Sequence, residues 1–105
     1  MDLGTPTPRR EKLQALFEAM TPNAYFQATS NTQMLYPAIR YQIDSEAKQH
    51  ANNKPYFKSW RYEVILLTRD PDDGIKELLA AMPLCSFERH YVVDDLHHFV
   101  FNLFF

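Results

Sequence analysis

The sequence predicts an α+β fold in which a mostly antiparallel sheet of four to five strands carries two amphipathic helices. Two stretches repeat apolar residues at intervals of three and four positions, the period of one helix face. They lie within residues 9–20 and 75–82. Longer stretches alternate apolar and polar residues, as strands do when one face is buried. The predicted order is α-(β)-β-β-α-β-β, in one domain of residues 9–105 that follows an N-terminal arm of residues 1–8.

Composition narrows the classes of function. A chain of 105 residues is typical of one domain, and its net charge of −2 argues against binding by phosphate neutralisation or to an anionic membrane. No apolar run approaches the ~20 residues that span a bilayer, and the first residues do not resemble a signal peptide. The one cysteine, Cys85, has no partner for an internal disulfide, which favours synthesis in the cytoplasm. Aromatic residues make up 14%, and we expect most of them to fill the core.

The first helix is predicted to have about 12 residues. Thr7 is the expected N-cap and Pro8 the first helical residue. The apolar stripe comprises Leu13, Leu16, Phe17 and Met20. Residues 21–23 should end the helix, and residues 24–28 form a possible short strand before a polar loop at 29–34.

Two strands are predicted in the middle of the chain. The first is Leu35–Asp44, with Pro37 at its start or on a sheet edge. The second, Phe57–Arg69, is apolar on both faces in its second half, so we expect cover on both sides there. Residues 45–56 between them are polar and irregular, which suits either a functional loop or a solvated connection.

The second helix is predicted to begin at an Asp70 N-cap with Pro71 in the first position. Its apolar stripe comprises Ile75, Leu78, Leu79 and Met82, and Pro83 should end it. A hairpin follows, formed by the strands 87–93 and 97–105 and joined by residues 94–96. The aromatic end of the last strand should lie either in the core or at an adhesive edge that a partner covers.

The residue types give little sign of catalysis or of a metal or cofactor. His97 and His98 should point to opposite faces of one strand, and His90 should lie near one of them. Their spacing does not match a zinc site. Cys85 at a strand entry is typical of a small buried hydrophobe. Arg9, Arg10 and Lys12 favour a solvated helix start over a nucleic-acid contact. We therefore predict no enzyme activity and no cofactor, and we expect the function to lie in binding protein surfaces.

A family resemblance begins at residue 36. The segments Tyr36-Pro-Ala-Ile-Arg-Tyr41, His50-Ala-Asn-Asn-Lys-Pro-Tyr56 and Trp60-Arg-Tyr-Glu-Val-Ile-Leu-Leu-Thr-Arg-Asp-Pro-Asp72 are followed by a helix and an aromatic hairpin. This order resembles the tail-terminator (tail-to-head joining) family of long-tailed bacteriophages over about two thirds of the chain. It departs from the family at Asn52-Asn53, where an acidic residue followed by Asn is more usual.

The resemblance implies a structural virion protein of the phage neck, assembled in the host cytoplasm. Such proteins form hexameric rings that cap the tail tube, stop its polymerisation and dock onto the head-completion proteins, while genomic DNA passes through the lumen without specific binding. We expect Asn52, Asn53, Lys54, Tyr56 and Phe57 to contact a neighbouring subunit or the tube. The alternatives are a head-completion or connector protein of the same neck, and a small monomeric binding module.

Overall fold

The computed structural model describes residues 9–28, 32–47 and 59–105. Its elements in chain order are α1 (Arg9–Glu18), β1 (Ala24–Phe26), β2 (Ala38–Ala47), β3 (Ser59–Thr68), α2 (Ile75–Ala80), β4 (Cys85–Val93) and β5 (Leu96–Phe104). The predicted α+β class and the order α-β-β-β-α-β-β are confirmed, and the short strand after the first helix is present. The predicted arm of residues 1–8 lies outside the described residues.

The five strands form one sheet in the order β1-β2-β3-β5-β4. β1 runs parallel to β2, and every other neighbouring pair is antiparallel. β5 lies between β3 and β4, pairing Val64 with Phe101 on one side and Phe101 with Phe87 on the other. The chain therefore places β4 at one edge of the sheet and the three-residue β1 at the other.

One face of the sheet holds the core, and both helices pack on it. α1 contributes Leu13 and Phe17, and α2 contributes Ile75 and Leu79. The strands contribute Ile39, Tyr41, Tyr62, Val64, Leu66, Phe99, Phe101 and Leu103. The Phe17 ring meets the Tyr41 ring edge-on at 4.8 Å between centroids, a geometry that aromatic pairs prefer. Alternation along the strands thus predicts most of these core residues, although Ile43 and Trp60, at the next alternate positions, are exposed.

The opposite face of the sheet carries a narrower apolar strip. Ala38, Leu67 and Val100 are buried there, whereas Ile65 and Phe104 are only half-buried. The expectation that the second half of β3 is covered on both sides therefore holds for Leu67 but only in part for Ile65.

α1 is shorter than predicted, and its buried stripe is narrower. It has 10 residues and ends at Glu18, where the amides of Met20 and Thr21 turn back onto the Phe17 carbonyl. Leu13 and Phe17 are buried, but Leu16 is 44% exposed, so the prediction that it belongs to the core stripe is wrong. The predicted cap at Thr7 and Pro8 lies outside the described residues.

The predicted start of the second helix is wrong. α2 begins at Ile75 and has six residues, because Gly74 adopts a left-handed backbone with φ of 85°. The Asp73 carboxylate accepts the Ile75 amide at 2.9 Å and the Thr68 hydroxyl at 2.7 Å. Asp70 likewise accepts the Asp72 amide at 3.0 Å. The aspartates therefore form local side-chain turns before the helix instead of its first turn.

The boundaries of the strands also differ from the predicted ones. β2 starts directly after Pro37 and continues to Ala47, three residues into the stretch predicted to be irregular. β3 is Ser59–Thr68, within the predicted range of 57–69. The hairpin turn has two residues where three were predicted. Asp94 and Asp95 both have positive φ, 52° and 63°, which suits the two-residue hairpin turn that matches sheet twist.

Candidate functional site

The five residues predicted to contact a neighbour lie outside the described part of the chain. They are Asn52, Asn53, Lys54, Tyr56 and Phe57, all within residues 48–58. The strands on either side pair as far as Ala47 and Ser59. The two ends of this segment therefore leave the sheet side by side, at the end where β3 begins.

The outer edge of β4 is the largest unpaired strand edge that the structure describes. β4 pairs with β5 along its length, and no described strand lies on its other side. Its exposed large apolar side chains are Phe87, Tyr91, Val92 and Val93, with Phe87 56% exposed. Soluble proteins usually protect such edges with charges, prolines or bulges. The pairing with β5 is irregular between Phe87 and Arg89, a bulge that interrupts this edge once.

The opposite edge of the sheet is only partly covered. β1 pairs with Ile39–Tyr41 of β2, and the Gln27 amide adds one bond to the Tyr41 carbonyl at 2.8 Å. From Gln42 to Ala47, no described strand pairs with the outer side of β2. Because β4 is antiparallel to β5 and β5 to β3, β4 runs parallel to β3 and antiparallel to β2.

A cavity of about 540 Å³ opens beside this second edge, and we call it the arginine pocket. Its lining residues are Arg9, Arg10, Phe26, Gln27, Ile43, Trp60 and Tyr62. The Arg10 guanidinium lies 4.7 Å from the centroid of the Phe26 ring, and that of Arg9 lies 4.8 Å from the centroid of the Phe105 ring. Arg9 and Arg10 are both exposed, and stacking on the rings holds their guanidinium groups in place.

The arginines also affect the buried tyrosines nearby. Burial raises the pKa of Tyr41 and of Tyr62, and the Arg10 charge partly opposes that rise in both. The Tyr41 hydroxyl donates to the Gln14 side chain, which in turn donates to the Ala24 carbonyl at 3.1 Å. These bonds connect α1 to β1 and β2, and so fix the position of the pocket wall.

A second, shallower cavity of about 340 Å³ lies between α2 and β4. It is lined by Lys76, Glu77, Ala80, Phe87, Phe99 and Phe101. Next to it, His90 Nε2 lies 2.9 Å from His97 Nδ1, and the His90 ring stacks on Phe99 at 4.5 Å. A pair at this distance shares one hydrogen bond.

The histidine predictions are confirmed where the structure describes them. His98 stacks on Tyr91 on the face opposite to His97, so the two neighbours point to different sides. His90 meets His97. Within residues 9–28, 32–47 and 59–105, no group of three or more His, Cys, Asp or Glu side chains could hold a metal ion.

Cys85 lies at a strand entry, as the sequence indicates, but is less buried than expected. Its side chain is half-buried at the start of β4 and packs against the core cluster. Burial raises the pKa of the thiol to about 11. A thiol of this kind is protonated and unreactive at neutral pH.

Sequence reasoning identified neither the β4 edge nor the arginine pocket. Arg9 and Arg10 are exposed, as a solvated helix start predicts, and Trp60 beside them is 44% exposed. The only local signal was the pair of adjacent arginines beside an amphipathic stripe.

No helix in the described part of the chain is long and apolar enough to cross a membrane. Comparisons with protein-family models, with curated proteins and with solved structures found no match for this chain.

Proposed function

We propose that this chain is a structural subunit of a tailed-phage virion, forming a ring at the head-proximal end of the tail tube that terminates tail polymerisation and joins tail to head. The order of segments from Tyr36 to Phe104 supports the family, and a hexameric ring follows from that resemblance. The observation that carries the proposal is a pair of open and unlike sheet edges on one subunit.

Unlike edges favour a head-to-tail contact. Among the described residues, no strand pairs with the outer edge of β4 on one side of the sheet or with the Gln42–Ala47 half of β2 on the other. When two different patches meet, the interface is heterologous, and copies add in one direction until the rotation closes a ring. Since β4 runs antiparallel to β2, a neighbour in the same orientation brings these two edges together as an antiparallel pair.

The exposed side chains of β4 are suited to such a contact. Tyr91 and Val93 project from the face opposite to the helices, and Phe87 and Val92 project from the helix face. A strand added at this edge would make ladder hydrogen bonds and cover apolar side chains on both faces. Because aromatic residues dominate the energetics of many interfaces, Phe87 and Tyr91 are the expected anchors.

The test is negative-stain imaging of the purified protein mixed with tail tubes from a terminator-deficient phage. We expect rings on one end of tubes of uniform length. The matched variants are Tyr91→Lys/Val93→Lys, which puts charges on the open edge, and Leu16→Lys, which puts one on an equally exposed apolar site of α1. The first should fold but leave tubes bare, and the second should cap them.

Bare tubes of unregulated length with the wild-type protein would contradict the terminator role. Binding of the same protein to DNA-filled heads would then assign it to the connector side of the neck. A protein that stays monomeric at high concentration and binds neither tubes nor heads would instead be a small binding module.

A further inference from the structure

The arginine pocket and the β4–β5 turn lie at opposite corners of the sheet. The pocket lies near the start of β3, where the Trp60 and Phe105 backbones bond to each other at 3.1 and 3.3 Å, and beside the β1–β2 edge. The turn lies near the end of β3, where Thr68 pairs with His97, and beyond the β4 edge. One subunit therefore cannot bring its own turn to its own pocket.

The pocket presents positive charge above an aromatic floor. No carboxylate of the described residues lies within ion-pair distance of Arg9 or Arg10, whereas Arg61, Lys76 and Arg89 each have one. Trp60 and Ile43 leave exposed apolar surface beside the two guanidinium groups. Such a pocket fits a pair of carboxylates flanked by apolar side chains, because a guanidinium group binds a carboxylate through two parallel N–H bonds.

The turn has the complementary chemistry. Asp94 and Asp95 are exposed at its tip, and neither carboxylate makes an ion pair or side-chain hydrogen bond within the described ranges. Val93 before them is half exposed, and Leu96 after them is half-buried. The left-handed backbone of both aspartates places two adjacent carboxylates on one narrow projection between two apolar residues.

We propose that the acidic turn of one copy, residues 93–96, enters the arginine pocket of the next copy. The proposal rests on the proposed function in one respect: the next copy is the neighbour in the ring. The two sites lie beside the two unpaired edges. The pocket borders the Gln42–Ala47 half of β2 through Ile43, and the turn follows directly after β4. A neighbour staggered along the strands, so that its Gln42–Ala47 segment runs beside the Val93 end of β4, brings its pocket to the turn.

The contact should respond strongly to charge. Two aspartates facing two arginines in a partly enclosed pocket give attraction that falls as salt rises, and reversal of either side places like charges together. We expect reversal of one side to weaken self-association about 100-fold, by analogy with other close charge pairs at interfaces.

The test uses two reciprocal charge-swap variants of the full chain. In the pocket swap, Arg9→Glu/Arg10→Glu, the pocket and the turn are both acidic; in the turn swap, Asp94→Lys/Asp95→Lys, both are basic. Sedimentation velocity should show each variant alone as dispersed subunits. An equal mixture should restore the wild-type assembly, because each acidic pocket then meets a basic turn and each basic pocket meets an acidic one.

Folding is controlled separately. Thermal unfolding by circular dichroism should show both variants folded. Because lysine at a positive φ adds strain, Asp94→Asn/Asp95→Asn serves as a second turn variant, since asparagine tolerates this backbone. That isosteric variant should associate more weakly than the wild type at low salt, and the difference should shrink at high salt.

Folded variants that assemble as the wild type does, or a mixture that stays dispersed while the wild type assembles, would overturn the inference and leave the ring proposal standing. Variants that assemble normally but no longer cap tubes would also overturn it, because the pocket would then bind the tube protein. If the mixture restores assembly but the assembly caps no tubes, the self-contact stands and the proposed function fails.

Discussion

The adjacent residues Leu78 and Leu79 of α2 offer a sharp test of how this helix lies on the sheet. Leu79 is fully buried, whereas Leu78 is 51% exposed, although the sequence pattern assigns both to one apolar stripe. Replacing each with alanine removes the same three carbons from the same helix. A difference in stability between the two variants therefore reports burial and not residue type.

The structure sets the size of the expected effect. At about 0.8 kcal/mol for each buried carbon, the Leu79→Ala change loses about 2.4 kcal/mol, and the unfilled space left in the core adds to this. We expect a total of about 3 kcal/mol in the free energy of unfolding. For Leu78→Ala we expect less than about 1 kcal/mol, because its side chain is half in water and alanine is a slightly better helix former.

Urea unfolding followed by circular dichroism gives both free energies, and a thermal scan should show Leu79→Ala melting about 12 °C or more below the wild type. The measurement is repeated at two protein concentrations, since self-association would cover exposed side chains and raise the apparent stability. Equal losses for the two variants at the lower concentration would refute the orientation of α2 argued from the structure.

Three further predictions concern single groups. Gly74→Ala should lower the free energy of unfolding by about 1 kcal/mol, and Gly74→Asn by less, because an added Cβ meets no atom within 4 Å and the cost is the left-handed backbone alone. Thr68→Val should cost about 1.5–3 kcal/mol by chemical denaturation, since it deletes a buried hydroxyl bonded to the Asp73 carboxylate. Cys85, with its pKa raised from 9.0 to about 11, should react with iodoacetamide at pH 8 about 100-fold more slowly than a free thiol. Because the folded pKa is the higher one, the contribution of this thiol to stability is present below pH 9 and is lost as pH rises through about 11.

The core was predictable because periodicity reports burial directly. Tyr62, Val64 and Leu66 alternate along β3, and all three enter the core. The helix stripes were only half right for a physical reason. A short helix on a sheet buries a narrow line of residues four apart, such as Leu13 with Phe17 or Ile75 with Leu79, and leaves the i+3 position in water.

The start of α2 was not predictable from local propensity. Asp70-Pro71-Asp72-Asp73 satisfies the rules for a helix N-terminus, but aspartate also favours turns that bond to its own backbone. Thr68 decides between the two outcomes, because its buried hydroxyl binds Asp73 and holds that side chain against the end of β3. This contact depends on tertiary structure, which the local sequence does not specify.

The candidate interface depends on strand order, which no single segment of sequence encodes. The arginine pocket joins positions 9, 10, 26, 27, 43, 60 and 62, which α1 and strands β1 to β3 bring together. The alternation of β4 predicts that Tyr91 and Val93 share a face, but not that the strand is outermost. β4 becomes an edge because β5 inserts between it and β3.

The insertion of β5 has a consequence for how the chain behaves alone. β4 carries four large exposed apolar side chains on an edge that no described strand pairs with, and its protection is limited to the charged side chains of Glu88 and Arg89 and the bulge beside them. An edge with so little protection pairs with other strands unless a specific partner occupies it. The proposed ring contact, which pairs the β4 edge with β2 and places the adjoining acidic turn in the arginine pocket, would cover this edge. Because this contact joins two unlike patches, it adds subunits head to tail in one orientation, as a ring on the end of a tube requires.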